Sequence, residues 1–168
     1  RDMDAQVFPI PFVMVETERF FVQGPRLGVH LYRNGENRLD LTLTPGFGGF
    51  DADDSPYFDG MEDRDMAVFA GIQWGHQISR FYSMSIGIST DVTGNADGLR
   101  GEIGLNRNWF AGQWVLTGSL GLEWLSSDVV DYYYGVRPNE ARPDRSAYTG
   151  TDSWNTSLSF MATRPFGK

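Results

Sequence analysis

Cysteine is absent from the 168 residues, so a disulfide framework, a thiolate metal site and a cysteine nucleophile are excluded. Lysine occurs once, at Lys168, and 14 basic residues face 22 acidic ones, a formal net charge of -8. Binding to nucleic acid draws on counterion release at a concentrated basic face, and with none here nucleic acid is set aside as a partner. Histidine occurs twice, at His30 and His76. Neither lies in a nucleophile motif such as G-x-S-x-G, and the sequence assigns no catalytic residue, no metal site and no cofactor. Long apolar runs are missing as well. No stretch approaches the ~18 consecutive apolar residues of a membrane helix, and Arg1 to Gln6 lack the apolar core of a signal peptide. A transmembrane β-barrel survives all of these exclusions, because lumen-facing residues keep its mean hydropathy low, here -0.35.

What is present is alternation with period two. Trp114, Leu116, Leu120, Leu122 and Trp124 alternate with Val115, Thr117, Ser119, Gly121 and Glu123. Leu39, Leu41 and Leu43 alternate with Asp40, Thr42 and Thr44, and Tyr82, Met84, Ile86 and Ile88 with Ser83, Ser85, Gly87 and Ser89. The pattern predicts strands at 6–15, 19–32, 38–50, 65–76, 81–92, 99–110, 113–125 and 152–163, most of them longer than soluble strands usually are. The first is interrupted by Pro9 and Pro11, which confines it to an edge, a bulge or a rim. No segment shows a helical period. The expected fold is all-β, an antiparallel up-and-down transmembrane barrel of about eight strands in one domain over 1–168, incomplete at one or both ends.

Leu99, Ile103 and Leu105 alternate with Arg100, Glu102, Gly104 and Asn106, which puts ionisable groups on a face that a soluble sandwich fills with core. Trp114 and Trp124 are about 33 Å apart along a strand at ~3.3 Å per residue. A ~45° tilt brings that near the ~25 Å apolar band of an outer-membrane barrel, so Trp109, Trp114, Trp124 and Trp154 are expected at the membrane interface. The turns 33–37, 77–80 and 111–112 are short, with Asn34-Gly35 a strong hairpin signal, and they alternate with the longer excursions 51–64, 93–98 and 126–151. Short periplasmic turns and long extracellular loops give a barrel this asymmetry. By that parity the tight turn Glu16-Thr17-Glu18 falls on the long-loop side, where it fits less well.

Phe58-Asp59-Gly60-Met61-Glu62-Asp63-Arg64-Asp65, then Thr90-Asp91-Val92-Thr93-Gly94-Asn95-Ala96-Asp97-Gly98-Leu99-Arg100-Gly101, then Tyr132-Tyr133-Tyr134-Gly135-Val136 resemble, in order and spacing, the MipA/OmpV family of bacterial outer-membrane proteins. Phe8-Pro9-Ile10-Pro11, Arg19-Phe20-Phe21-Val22 and Leu27-Gly28 are similar to the start of that family's barrel. The resemblance implies an outer-membrane location, contact with lipid and lipopolysaccharide, and a non-enzymatic scaffold role. In that role the protein binds a murein lytic transglycosylase and connects it to a peptidoglycan-synthesising penicillin-binding protein. Other readings stay open: a small passive channel, a barrel enzyme acting on lipid, and a soluble β-sandwich.

Asp40, Arg100, Glu102 and Glu123 are expected to face inward as one paired ionic network, since a barrel of about eight strands is just filled by side chains; a pore lining is the alternative. His30 shares that face. The loop Asp91 to Gly98 reads as turn architecture, where Asp, Asn and Gly satisfy the backbone and tolerate positive φ; docking is the alternative. Asp51, Asp53, Asp54, Asp59, Glu62, Asp63 and Asp65 read as a solvated surface loop rather than a Ca²⁺ site, which takes six to eight oxygens. Tyr132, Tyr133 and Tyr134 suit an aromatic belt or rim cluster, and Arg107, beside Leu105 and Trp109, reaches from a strand end to the headgroups.

Overall fold

The structure, a computed structural model, describes residues 13–164. Most of the expected strand 6–15, with Pro9 and Pro11, lies outside the described residues. Nine strands and one helix follow in order: β1 (Met14–Glu16), β2 (Phe20–Gln23), β3 (Arg26–Arg33), β4 (Asn37–Pro45), β5 (Val68–Gln77), β6 (Tyr82–Asp91), β7 (Leu99–Ala111), β8 (Trp114–Leu125), α1 (Ser127–Tyr134) and β9 (Ser153–Thr163). The strands form one sheet in sequence order, each antiparallel to its neighbours. This is the up-and-down topology of a β-barrel.

Three expectations are corrected. The stretch 19–32 is two strands, which raises the count to nine: Gly24 takes φ +57°, which only glycine adopts freely, and Pro25 has no N–H to continue the ladder. That extra reversal also changes the parity. The turn at Glu16-Thr17-Glu18 now falls at the same end as the turns 34–36, 78–81 and 112–113, while the two-residue turn at Gly24-Pro25 falls at the long-loop end. Finally, 127–134 is helical although no helical period was expected. Asp128 occupies its first turn, where a carboxylate suits the helix dipole, and Asp152 Oδ1 accepts the Ser127 N–H at 2.8 Å. No helix among the described residues is long and apolar enough to cross a membrane.

The sheet is curled. β3 and β7 are four strands apart, roughly 19 Å across a flat sheet at ~4.8 Å per strand, yet Arg26 Nη2 lies 2.8 Å from Glu102 Oε2. On the convex side stand Leu27, Val29, Leu41, Leu43, Ile72, Ile86, Ile88, Ile103, Leu105, Leu120 and Leu158, all exposed. Leu158 is 69% and Phe160 75% exposed, and each would lose roughly 1.5–3 kcal/mol of burial free energy if water were the neighbour. Hydrocarbon removes that penalty. The concave side carries the polar partners of the alternation, with Asp40, Thr42 and Gln73 buried.

The buried apolar cluster of the described residues is therefore not inside the curl but at the long-loop end. Val129, Val130 and Tyr133 of α1 pack with Ala67, Phe69, Ala96 and Leu125.

Candidate functional site

Strand register aligns one residue from each of seven strands in a single row across the concave face: His30, Asp40, Gln73, Gly87, Glu102, Glu123 and Asn155. Arg26 reaches over the row from β3, contacting Glu102 at 2.8 Å and Gln73 Oε1 at 3.3 Å, while Gln73 Nε2 donates to Glu102 at 2.8 Å. Asp40 is fully buried between His30 Nδ1 and Arg38 Nε, each 2.7 Å away. Glu123 accepts from Asn155 Nδ2 at 3.3 Å. Arg100, one level toward the long loops, lays its guanidinium 3.6 Å from the centre of the Phe69 ring and forms no ion pair with the described residues.

The four inward charges expected as one network are thus on one face but in separate groups. Arg26 and Arg38, which sequence reasoning left unassigned, take Glu102 and Asp40 because the curl brings distant strands together. Both sit at polar positions of the alternation, in phase with His30 and Asp40 respectively, and that phase was the available signal. Gly87 makes room for the pairing: a Cβ there would lie 3.0 Å from Glu102 Oε1. Beside the row, toward the short turns, a cavity of 390 Å³ is lined by Arg26, Arg38, Gln73, Ser85 and Asn106 among others. His30 and Asp40 resemble a base with its orienting acid, but His30 Nε2 has no hydrogen-bond partner among the described residues, so no nucleophile is hydrogen-bonded to it there.

The family-motif loops build a folded cap at the long-loop end. Arg64, 3% exposed, donates from Nε to Tyr132 O, from Nη1 to Glu62 O and from Nη2 to both Glu140 oxygens at 3.1 Å. Glu140 also accepts the Glu62 and Arg137 backbone N–H groups at 3.0 and 2.9 Å. Burial opposes ionisation of Glu140, but these two N–H groups and the Arg64 guanidinium outweigh it and hold the carboxyl below its ordinary value of 4.5. Glu62 pairs with Arg137, and buried Arg145 is held by the carbonyls of Tyr57, Asp59 and Glu140. Gly60, at φ +80°, and Met61 complete a turn whose Met61 N–H donates to Phe58 O at 2.8 Å.

Asp91 closes its own loop, accepting from Thr93 N–H and Oγ1, Ala96 N–H and Asp97 N–H; Gly94 and Asp97 take positive φ of 76° and 45°. Gly98 packs against Ser126 and Val129, with no space for a Cβ. Tyr134 and Gly135 belong to the end of α1 rather than to an open loop, and Gly135 N–H donates to Asp131 O at 2.8 Å. The tyrosine run divides by helix geometry: Tyr133 is buried with its hydroxyl on Ala67 N–H at 3.0 Å, Tyr132 contacts Asp65, and Tyr134 is 63% exposed.

Of the acidic stretch, Asp51, Asp53 and Asp54 gather within 4.8 Å, all exposed, and Asp54 and Asp63 push the Asp51 carboxyl above its ordinary value. Asp63 accepts the Ala52 N–H at 2.7 Å. The stretch is therefore part solvated surface and part cap. On the convex face, Trp124 and Trp154 are directly paired toward the long loops, and Trp109 and Trp114 stand toward the short turns.

A family model described as MltA-interacting protein MipA matches residues 1–168. The chain is 30% identical over 162 residues, 95% of its length, to a protein of Escherichia coli K12 named "Putative outer membrane protein YiaT", and 31% identical to the protein of the same name from Escherichia coli O157:H7. It is 26% identical over 169 residues, 99% of its length, to the MltA-interacting protein of Escherichia coli K12. The chain spans 65% of the length of the two YiaT proteins and 68% of the MltA-interacting protein. No solved structure matches it.

Proposed function

The chain belongs to the MipA family of outer-membrane proteins, and from that premise we propose that it is the barrel of a scaffold that binds a murein lytic transglycosylase and brings it to a penicillin-binding protein. The observation that supports the transglycosylase half of this reading is similarity along 99% of the chain, at 26% identity, to a protein named MltA-interacting protein; the link to a penicillin-binding protein rests on the family resemblance. The partner is met at the short-turn end, and outer-membrane lipid and lipopolysaccharide surround the convex face. Four turns at 17–19, 34–36, 78–81 and 112–113 are two to four residues long, short beside the ~800 Å² per partner of a standard interface, so contact extends to the strand ends. The test is retention of a purified murein lytic transglycosylase on the immobilised, refolded full-length protein. Retention supports the scaffold, and flow-through with a demonstrably folded barrel removes it.

The polar concave row and its 390 Å³ cavity favour one second reading, a small passive channel. Ion conductance across liposomes separates the two, because a channel requires it and a scaffold does not.

A further inference from the structure

Among the described residues, the convex face at the short-turn end carries a cation, Arg107, that no carboxylate pairs with. Register places Tyr82, Arg107, Gly118 and Phe160 in one row across β6 to β9. The Arg107 guanidinium carbon lies 5.4 Å from the centre of the Tyr82 ring and 4.9 Å from that of Trp109, both within cation–π range. Trp109 lies across Gly118, where a Cβ would be 3.0 Å from the indole. The missing side chain thus lets the ring lie against the strand and support the arginine. Among the described residues Arg107 makes no ion pair, and neither the Tyr82 hydroxyl nor the Trp109 N–H has a hydrogen-bond partner.

We propose that Tyr82, Arg107 and Trp109 form a binding site for the phosphate of an anionic phospholipid in the leaflet at the short-turn end. A guanidinium held close to two rings keeps N–H donors free for an acceptor, and charge-assisted hydrogen bonds to a phosphate are the strong kind. The hydroxyl and the indole N–H supply two further donors on the same face. The apolar residues beside them, Leu105, Leu116 and Phe160, are exposed and complement acyl chains. A soluble anion has no use for that surface, and a protein partner would have to displace lipid from it. The site rests on the membrane location and not on the scaffold role.

The test is native mass spectrometry of the full-length protein released from micelles containing equal amounts of phosphatidylglycerol and phosphatidylcholine. The wild type retains phosphatidylglycerol preferentially, and Arg107→Gln lowers that retention about fivefold, the worth of one basic residue at an anionic surface. Equal retention of the two lipids, unchanged retention in Arg107→Gln, or displacement of the lipid by inorganic phosphate at matched concentration overturns the site. If Arg107→Gln does not refold, the wild type at rising salt decides the matter: the preference falls as charges are screened, and a preference indifferent to salt contradicts the proposal. No transglycosylase enters the experiment, so its outcome is independent of the scaffold.

Discussion

Glu140→Gln removes the charge at the centre of the cap while keeping the side chain's shape. In the native cap Glu140 is 2% exposed and receives Arg64 Nη2 on both oxygens, with the Glu62 and Arg137 N–H groups completing its shell. The amide retains one acceptor and leaves the buried Arg64 guanidinium without its counter-charge. Breaking a buried pair from one side costs roughly 3–5 kcal/mol, which at 1.36 kcal/mol per decade is two to four decades in a local opening equilibrium. The assay is hydrogen exchange by mass spectrometry on protein refolded in micelles. Amides that depend on the cap, those of Glu62, Asp65, Ala67 and Gly150, should exchange about a thousandfold faster. The β7–β8 ladder should keep its protection, because its hydrogen bonds run between membrane-crossing strands. Cap amides that change by less than tenfold, or ladder and cap that loosen together, refute the argument that this pair holds a separately folding unit.

The same carboxyl sets an acid limit. Its folded value lies below the ordinary 4.5, so its stabilisation is complete above that pH and is lost as pH falls through the folded value; proteolysis of 126–152 should accelerate below pH 4.5 and be unaffected between 6 and 8. Glu102→Gln unpairs Arg26, and any conductance of the wild-type lumen should shift toward anions; an unchanged ion preference would show that the bridge does not face the permeation path. Gly28→Ala drives a Cβ to 2.3 Å from the Phe21 ring that stacks on His30. It should cost about 1–3 kcal/mol, read as a lower unfolding temperature in micelles, whereas Gly35→Ala, with nothing within 4 Å, should leave that temperature unchanged.

Long alternating strands were legible because period two is a local property, and β5 to β9 lie close to where the alternation puts them. The break at Gly24-Pro25 was also written in the pattern. Phe20 and Val22 face outward at even positions and Leu27, Val29 and Leu31 at odd ones, so the phase flips where the chain reverses. The helix was hidden for a different reason. Ser127–Tyr134 is eight residues of mainly β-favouring types, too short to be stable alone, and it is set by packing on Ala67 and Phe69 and by Asp152, residues remote in sequence. Charge pairing was the least legible feature, since Arg26 and Glu102 are 76 positions apart and meet only through curvature. The burial of Arg64 was equally illegible, because its partners Tyr132 and Glu140 lie 68 and 76 positions away, whereas Glu62 keeps the exposed position expected of a surface loop while pairing with Arg137.

Adjacent residues of β8 test the central claim, that the apolar face meets lipid and the polar face does not. Because the chain has no cysteine, Leu120→Cys and Ser119→Cys each give a single labelling site on opposite faces of one strand. With a fluorophore attached in the refolded, vesicle-embedded protein, the label at position 120 should be quenched by brominated acyl chains and shielded from an aqueous quencher. The label at position 119 should show the reverse. Equal quenching at both positions, or lipid quenching at 119 alone, would contradict a membrane-spanning barrel with this sheet's convex face outward.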